Sequence, residues 1–80
     1  MKAIGQITIE EGLTLNNPTL EIKTIQYEQF DDLVSVECIF TEEGANYKHS
    51  RNYTFTAVKD MLKSDVIELL KTNDILNLFV

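Results

Sequence analysis

The sequence predicts an α+β fold, in which an antiparallel sheet of four to five strands carries one C-terminal helix packed on one face. Two observations support this prediction. Apolar and polar residues alternate in several stretches before residue 58, whereas helical spacing of apolar residues begins only after residue 64. Apolar residues make up 44% of the chain, which is enough for a hydrophobic core. We therefore expect residues 1–80 to form a single domain.

The N-terminal part is predicted to begin with a short strand. Residues 3–9 alternate, with Ile7 and Ile9 on one face, and two acidic residues and a glycine end the strand. Residues 13–15 alternate briefly. The sequence Asn-Asn-Pro at 16–18 is a strong turn signal, because Asn favours turns and Pro cannot donate to a ladder.

A long strand is predicted over residues 19–28. Its alternation slips by one residue between Lys23 and Thr24. A slip of one residue sends the following side chains to the opposite face, so we expect a β-bulge or a strand crossing at this point. Residues 29–32 are then expected to form a tight connection.

The clearest strand is predicted over residues 33–41. Its apolar face consists of alternate residues, namely Val34, Val36, Cys38 and Phe40. Residues 42–46 form a loop in which Gly44 can adopt a positive φ. The next strand covers residues 48–57 and places Tyr53, Phe55 and Ala57 on one face. The two strands and their loop are expected to form a hairpin.

The helix is predicted to begin at Ser64, a good N-cap, with Asp65 placed favourably at the positive end of the helix dipole. Its apolar stripe consists of Val66, Leu69 and Leu70, with Ile67 beside it. The helix is expected to close at residues 72–74. Residues 57–63 are predicted to be either a turn before this helix or an earlier part of it.

The end of the chain is unusually apolar. Five of the residues at 75–80 are apolar, whereas chain ends are usually polar and frayed. We expect this segment to be held in the sheet or against another chain. Its candidate partner-contact residues are Leu76, Leu78, Phe79 and Val80.

The sequence provides few groups for catalysis or metal binding. Cys38 is the only cysteine and His49 the only histidine, so neither an intrachain disulfide nor a zinc site of ordinary composition is expected. Cys38 lies in phase with core residues and is predicted to be a buried, inert thiol. The glycines are too far apart for a phosphate-binding loop. We therefore predict no enzyme activity and no cofactor.

Acidic residues are concentrated in the first part of the chain. Residues 1–47 hold nine acidic and two basic residues, a net charge of −7. This excess argues against direct binding of nucleic acid, which requires Lys and Arg to neutralise phosphates. It is compatible with an acidic face that blocks a basic, nucleic-acid-handling protein. The candidate residues of that face are Asp31, Asp32, Glu42 and Glu43.

A calcium site is a further alternative. In an up-and-down meander, the doublets Glu10-Glu11 and Glu42-Glu43 would meet at one end of the sheet, with Asp31-Asp32 at the other. A separate contact patch is predicted where tyrosines and bases are mixed, because Tyr and Arg are enriched in binding hot spots. The residues of this patch are Tyr47, Lys48, Arg51 and Tyr53.

Together these observations favour a protein-binding or assembly module that acts as a homo-oligomer or complex subunit. A small viral or mobile-element structural component would fit this description. The alternative is a small acidic inhibitor. The first residues do not resemble a signal peptide and no apolar run is long enough to cross a membrane, so the cytoplasm is the expected location.

Overall fold

The computed structural model describes residues 1–56 and 62–80. Strand residues precede helical ones along the chain, as the change of apolar spacing predicts. In chain order the elements are β1 (Gln6–Glu10), β2 (Leu13–Asn16), β3 (Thr19–Glu28), β4 (Leu33–Thr41), β5 (Lys48–Thr56), α1 (Lys63–Leu70) and a terminal 3-10 helix (Leu76–Leu78). The predicted α+β class is confirmed at this level.

The strands form two antiparallel sheets, so the prediction of one four- to five-stranded sheet is wrong. β1 pairs with β2, and β3, β4 and β5 form a separate sheet in that order. The reason lies in a bend that both strands of the β1–β2 hairpin share. Gly5 has a φ of +96° and Asn17 a φ of +45°, and these left-handed conformations turn the chain out of a regular ladder.

Hydrogen bonds between Gly5 and Asn17 hold this bend. The Asn17 amide donates to the Gly5 carbonyl at 2.8 Å, and the Gly5 amide donates to Asn17 Oδ1 at 2.7 Å. Before the bend, residues 1–3 run antiparallel to the start of β3, where the amides of Ala3 and Leu20 donate to the carbonyls of Pro18 and Met1. After the bend, β1 and β2 pair with each other and not with the strands of the other sheet, although the Glu43 amide donates to the Asn16 carbonyl at 3.2 Å.

The three-stranded sheet has the register that the alternation predicts. β4 pairs with β5 without interruption, from Leu33 opposite Thr56 to Thr41 opposite Lys48. The register between β3 and β4 shifts between Ile22 and Thr24, which confirms the bulge predicted at Lys23. Cross-strand partners point to the same face, so β4 brings its buried alternate residues together with half-buried Tyr53 and Phe55 of β5.

The core lies between this sheet and the elements that cover one of its faces. Phe40 is at its centre and contacts the rings of Phe79 and Tyr53, with centroid distances of 5.6 and 6.4 Å. The covering elements contribute residues from the hairpin, the helix and the chain end. The buried apolar residues are Ala3, Ile7, Ile9, Leu15, Leu20, Val34, Val36, Cys38, Phe40, Val66, Leu70, Leu76 and Phe79.

The helix begins one residue earlier than Ser64, and Leu62 rather than Ser64 is its N-cap residue. The cause is Asp65, whose Oδ2 accepts a hydrogen bond of 3.0 Å from the Leu62 amide and so satisfies an amide at the helix start. The predicted apolar stripe is confirmed, with Val66 and Leu70 buried. Residues 57–61, including Ala57 and most of the segment whose conformation the sequence left open, lie outside the described residues.

The chain end is held by this chain's own N-terminal segment. The amides of Lys2 and Val80 each donate to the carbonyl of the other at 2.8 Å. Preceding this pair, Asn73 Oδ1 accepts hydrogen bonds from the amides of Ile75 and Leu76 at 2.8 and 3.2 Å. The apolar end is therefore held by one strand-like pair and a helical turn of its own chain, and it is not a strand of the sheet.

Candidate protein-binding surfaces

The outer edge of β5 is an open strand edge among the described residues, since β4 is the only strand that pairs with it. The direction of its backbone groups follows from the other side of the sheet. The Leu20 amide donates to Met1 and therefore points away from β4. Backbone groups alternate in direction along each strand, so the amide and carbonyl of Thr19, the neighbour of Leu20, point to Thr41 of β4. The backbone groups of Thr41 in turn point to β3. The adjacent residue of β4, Phe40, therefore directs its amide and carbonyl to His49 of β5.

The same alternation continues along the regular β4–β5 ladder. Odd-numbered residues of β5 bond to β4, and even-numbered residues direct their amides and carbonyls outward. These outward residues are Lys48, Ser50, Asn52, Thr54 and Thr56. One side-chain contact agrees with this direction: Arg51 Nη1 donates to the Ser50 carbonyl at 2.7 Å. A row of such groups is a template for another strand.

The predicted contact patch lies on this strand, but its members do not share one face. Lys48 points to the outer, polar face of the sheet, whereas Arg51 and Tyr53 point to the face that carries the core. Tyr47 precedes the strand and is largely exposed, with its ring 4.6 Å from that of His49. A partner strand that pairs with this edge would run alongside all four residues.

Arg51 is held in place by the tip of the β1–β2 hairpin. Arg51 Nε donates to Glu10 Oε1 at 2.8 Å, and the two side chains form an ion pair. This hydrogen bond is the main reason why the pKa of Glu10 is lowered and the pKa of Arg51 is raised. The pair fixes a planar, charged group beside the open edge, where Arg51 Nη1 also donates to the outward carbonyl of Ser50.

The two chain ends form a second exposed surface. In the Lys2–Val80 pair, Ala3 and Phe79 point into the core, so the residues that alternate with them point outward. Ile4 is 92% exposed, Val80 85% and Leu78 49%. Leu76 and Phe79, which the sequence offered as contact residues, are instead core residues. Contact with a partner remains a prediction for Leu78 and Val80.

The turn between β3 and β4 carries Asp31, Asp32 and an exposed aromatic residue. Asp32 has a φ of +49°, and its Oδ1 accepts a hydrogen bond of 2.5 Å from the Tyr27 hydroxyl. Phe30 lies in the same turn and is 95% exposed. A large apolar side chain is thus presented to solvent next to two acidic residues.

Glu42 and Glu43 lie elsewhere and bind the bend that precedes β3. Glu42 Oε2 accepts a hydrogen bond from the Asn16 amide at 2.8 Å, and Glu43 Oε2 accepts one from Asn17 Nδ2 at 2.7 Å. Asn16 is at the open end of the β1–β2 hairpin and Glu10 at its turn. The doublets at 10–11 and 42–43 therefore do not meet, contrary to the expectation behind the calcium alternative.

The side chains that could serve in catalysis or metal binding lie apart from one another in the described structure. Cys38 is fully buried opposite Arg51, and burial raises the pKa of its thiol to about 11. His49 lies opposite Phe40 in the ladder, and its ring contacts the ring of Tyr47. Within residues 1–56 and 62–80, no three of the His, Cys, Asp and Glu side chains are grouped so that they could hold a metal ion.

Comparison of the chain with protein-family models, curated proteins and solved structures finds no match in any of the three. None of the helices in the described ranges has the length and apolar character needed to cross a bilayer.

Two features of these surfaces were missed by the sequence interpretation. The first is the exposure of Phe30, which follows from its position inside a four-residue turn between two strands. A turn that tight leaves an aromatic side chain no core to enter. The second is the ion pair of Glu10 with Arg51, which depends on the bend at Gly5 and has no local signal in the sequence.

Proposed function

We propose that this protein is a non-enzymatic protein-binding module that accepts an extended segment of a partner at the outer edge of β5. The observation that carries this proposal is the row of outward backbone groups on a regular strand of nine residues. Strand addition of this kind takes its affinity from main-chain hydrogen bonds and its specificity from alternate side chains. In this proposal the protein acts as an oligomer or as a subunit of a complex, in the cytoplasm.

The side chains beside the edge suit a peptide partner. Arg51 and Tyr53 on the core face and Tyr47 at the strand start are residue types that dominate binding energy in protein interfaces. On the other face, Ser50, Asn52 and Thr54 offer short polar groups, and Ser50 donates to Glu37 Oε2 at 2.8 Å. A bound strand would thus meet one aromatic and cationic side and one polar side.

The test is a selection of nine-residue peptides displayed on phage against the immobilised protein. Each binder is then measured on two variants, Asn52→Pro and Asn52→Ala. Proline removes an outward amide and leaves the ladder to β4 intact, whereas alanine keeps the amide. We expect binders to lose at least about tenfold in affinity on the proline variant, which corresponds to about 1.4 kcal/mol, and to keep their affinity on the alanine variant.

Two results would contradict strand addition at β5. One is a set of binders that recognise the proline and alanine variants equally, because those peptides bind another surface. The other is a selection that yields no binder although the protein is a monomer in solution, because a monomer leaves the β5 edge free for a peptide. The melting temperature of each variant, followed by circular dichroism, establishes that both are folded when binding is measured.

A second function is favoured by the exposed Phe30 in its acidic turn. Asp31 and Asp32 directly follow this residue, so the turn could insert an aromatic anchor into a basic protein and act as an inhibitor. Binding of this kind should weaken steeply with salt and fail when Asp31 and Asp32 are changed to Lys. The matched control is charge reversal at Glu42 and Glu43, which bind the bend and not the Phe30 turn. Loss of partner binding only in that control would reject the Phe30 turn as the contact.

A further inference from the structure

We propose that the strand accepted at the edge of β5 is β5 of a second copy, paired antiparallel about a two-fold axis that passes beside Asn52. This inference rests on the proposed function and names its partner. A two-fold arrangement presents the same patch on both chains, so the edge has to be complementary to itself.

The register centred on Asn52 satisfies the backbone over the full strand. It places Asn52 opposite Asn52, Ser50 opposite Thr54 and Lys48 opposite Thr56 of the second copy. All of these residues direct their amides and carbonyls outward, so each outward amide meets an outward carbonyl. The nine residues of β5 are then paired from end to end, and two three-stranded sheets become one of six strands.

The same register also pairs compatible side chains. Arg51 lies opposite Tyr53 of the second copy, at a non-hydrogen-bonded position where side chains are closest. A guanidinium against a tyrosine ring is an attractive pair. On the polar face, hydroxyl residues meet at Ser50 and Thr54, and Lys48 meets Thr56 rather than another base.

Neighbouring registers that keep the outward groups paired are less favourable. Moving the axis to residue 51 places Arg51 directly opposite Arg51, and like charges at that position repel. Moving it to residue 53 leaves residues 48 and 49 outside the pairing and shortens the ladder. The charge pattern therefore selects one register of this strand with itself.

The experiment places a single new thiol on the axis. Asn52→Cys puts two thiols on directly opposite residues, whose Cα atoms are about 5.5 Å apart, within the range that a disulfide spans. Thr54→Cys is the matched control, because it has the same exposure and direction but lies four residues, roughly 13 Å, from its copy along the strand. Cys38 is fully buried and does not compete.

We expect the unmodified protein to have a solution mass of twice its 9.2 kDa chain by light scattering behind a sizing column, at low and high salt. Mild oxidation should crosslink the Asn52→Cys variant at least about tenfold more than the Thr54→Cys variant. A monomer with no crosslink in either variant would overturn self-pairing, while leaving strand addition to be judged by the peptide selection. Stronger crosslinking of the Thr54→Cys variant would overturn the register.

Discussion

The two outer edges of the three-stranded sheet differ, because the β3 edge is partly covered and the β5 edge is open among the described residues. The β3 edge is covered at its start by residues 1–3, interrupted by the bulge at Lys23 and flanked by Met1, Lys63 and Ile67, which line one depression with Ile22. The β5 edge has neither bulge nor backbone partner among the described residues. Natural sheets protect edges by such covers and bulges, so the edge that lacks them is where a partner strand is expected.

The cover of the β3 edge depends on the apolar chain end. Phe79 is fully buried against Phe40 and holds the segment that pairs with Lys2. We expect Phe79→Ala to lower the free energy of unfolding by about 3–5 kcal/mol, because it leaves a cavity in the core. Urea denaturation followed by circular dichroism measures this change.

Leu78→Ala is the matched control for that substitution. Leu78 is adjacent and half exposed, so its loss should cost roughly 0.5 kcal/mol or less. An equal loss for both variants would contradict the assignment of Phe79 to the core. It would also weaken the interpretation of the chain end as a cover for β3.

The two sides of β5 can be compared with proline at adjacent positions. Tyr53 directs its amide to β4 and Asn52 directs its amide outward. Relative to alanine at the same site, Tyr53→Pro should cost about 1–3 kcal/mol more, because it removes a ladder hydrogen bond and leaves its acceptor unpaired. Asn52→Pro should cost less than about 1 kcal/mol relative to Asn52→Ala. Thermal unfolding of the four variants measures both costs. A larger cost of proline at residue 52 than at residue 53 would contradict the assigned backbone directions.

The bend that brings residues 1–3 to β3 requires a positive φ at Gly5. A Cβ at this position meets nothing within 4 Å, so the cost of Gly5→Ala is conformational and should be about 1–2 kcal/mol. Chemical denaturation measures it, with Gln6→Ala, at the exposed neighbouring residue, as the control. Equal stability of Gly5→Ala and the unmodified protein would show that the bend does not depend on glycine.

The smallest effect is expected where the hairpin tip contacts β5. The pKa of Glu10 is lowered below its ordinary 4.5, so its ion pair with Arg51 stabilises the fold above pH 4.5. This stabilisation is lost as the pH falls through the lowered pKa. The unmodified protein should therefore exceed Glu10→Gln in melting temperature at pH 6 and converge with it in acid. A difference that persists unchanged at pH 2 would contradict this origin.

Local patterns in the sequence predicted the individual strands well. The bounds of β3 and β4 and the bulge at Lys23 followed from alternation alone, because a half-buried strand shows its two faces in its own residues. The split into two sheets did not, since it depends on Gly5 and Asn17 acting together across the hairpin. The turn signal at residues 16–18 was visible, but its partner at Gly5 was not.

The candidate site was predicted only in part for a similar reason. The residues at 47–53 were singled out by type, and all of them except Tyr47 lie on β5. Their division between two faces follows from alternation, whereas the position of β5 at an edge depends on which strands pair, which no local pattern encodes. The apolar chain end was recognised, but the 3-10 helix at Leu76–Leu78, which comes directly before Phe79, changes the spacing on which the exposure of each residue depends.

The hydrogen-bonded pair of Lys2 and Val80 has a consequence for how the chain can be cut and rejoined. Since residues 1 and 80 are brought side by side, a short glycine linker can connect them without disturbing the core. The protein can then be opened in the turn at residues 29–32 and produced as a circular permutant. That molecule would retain every strand pairing while removing the charged α-amino group that donates to the Leu20 carbonyl at 3.1 Å.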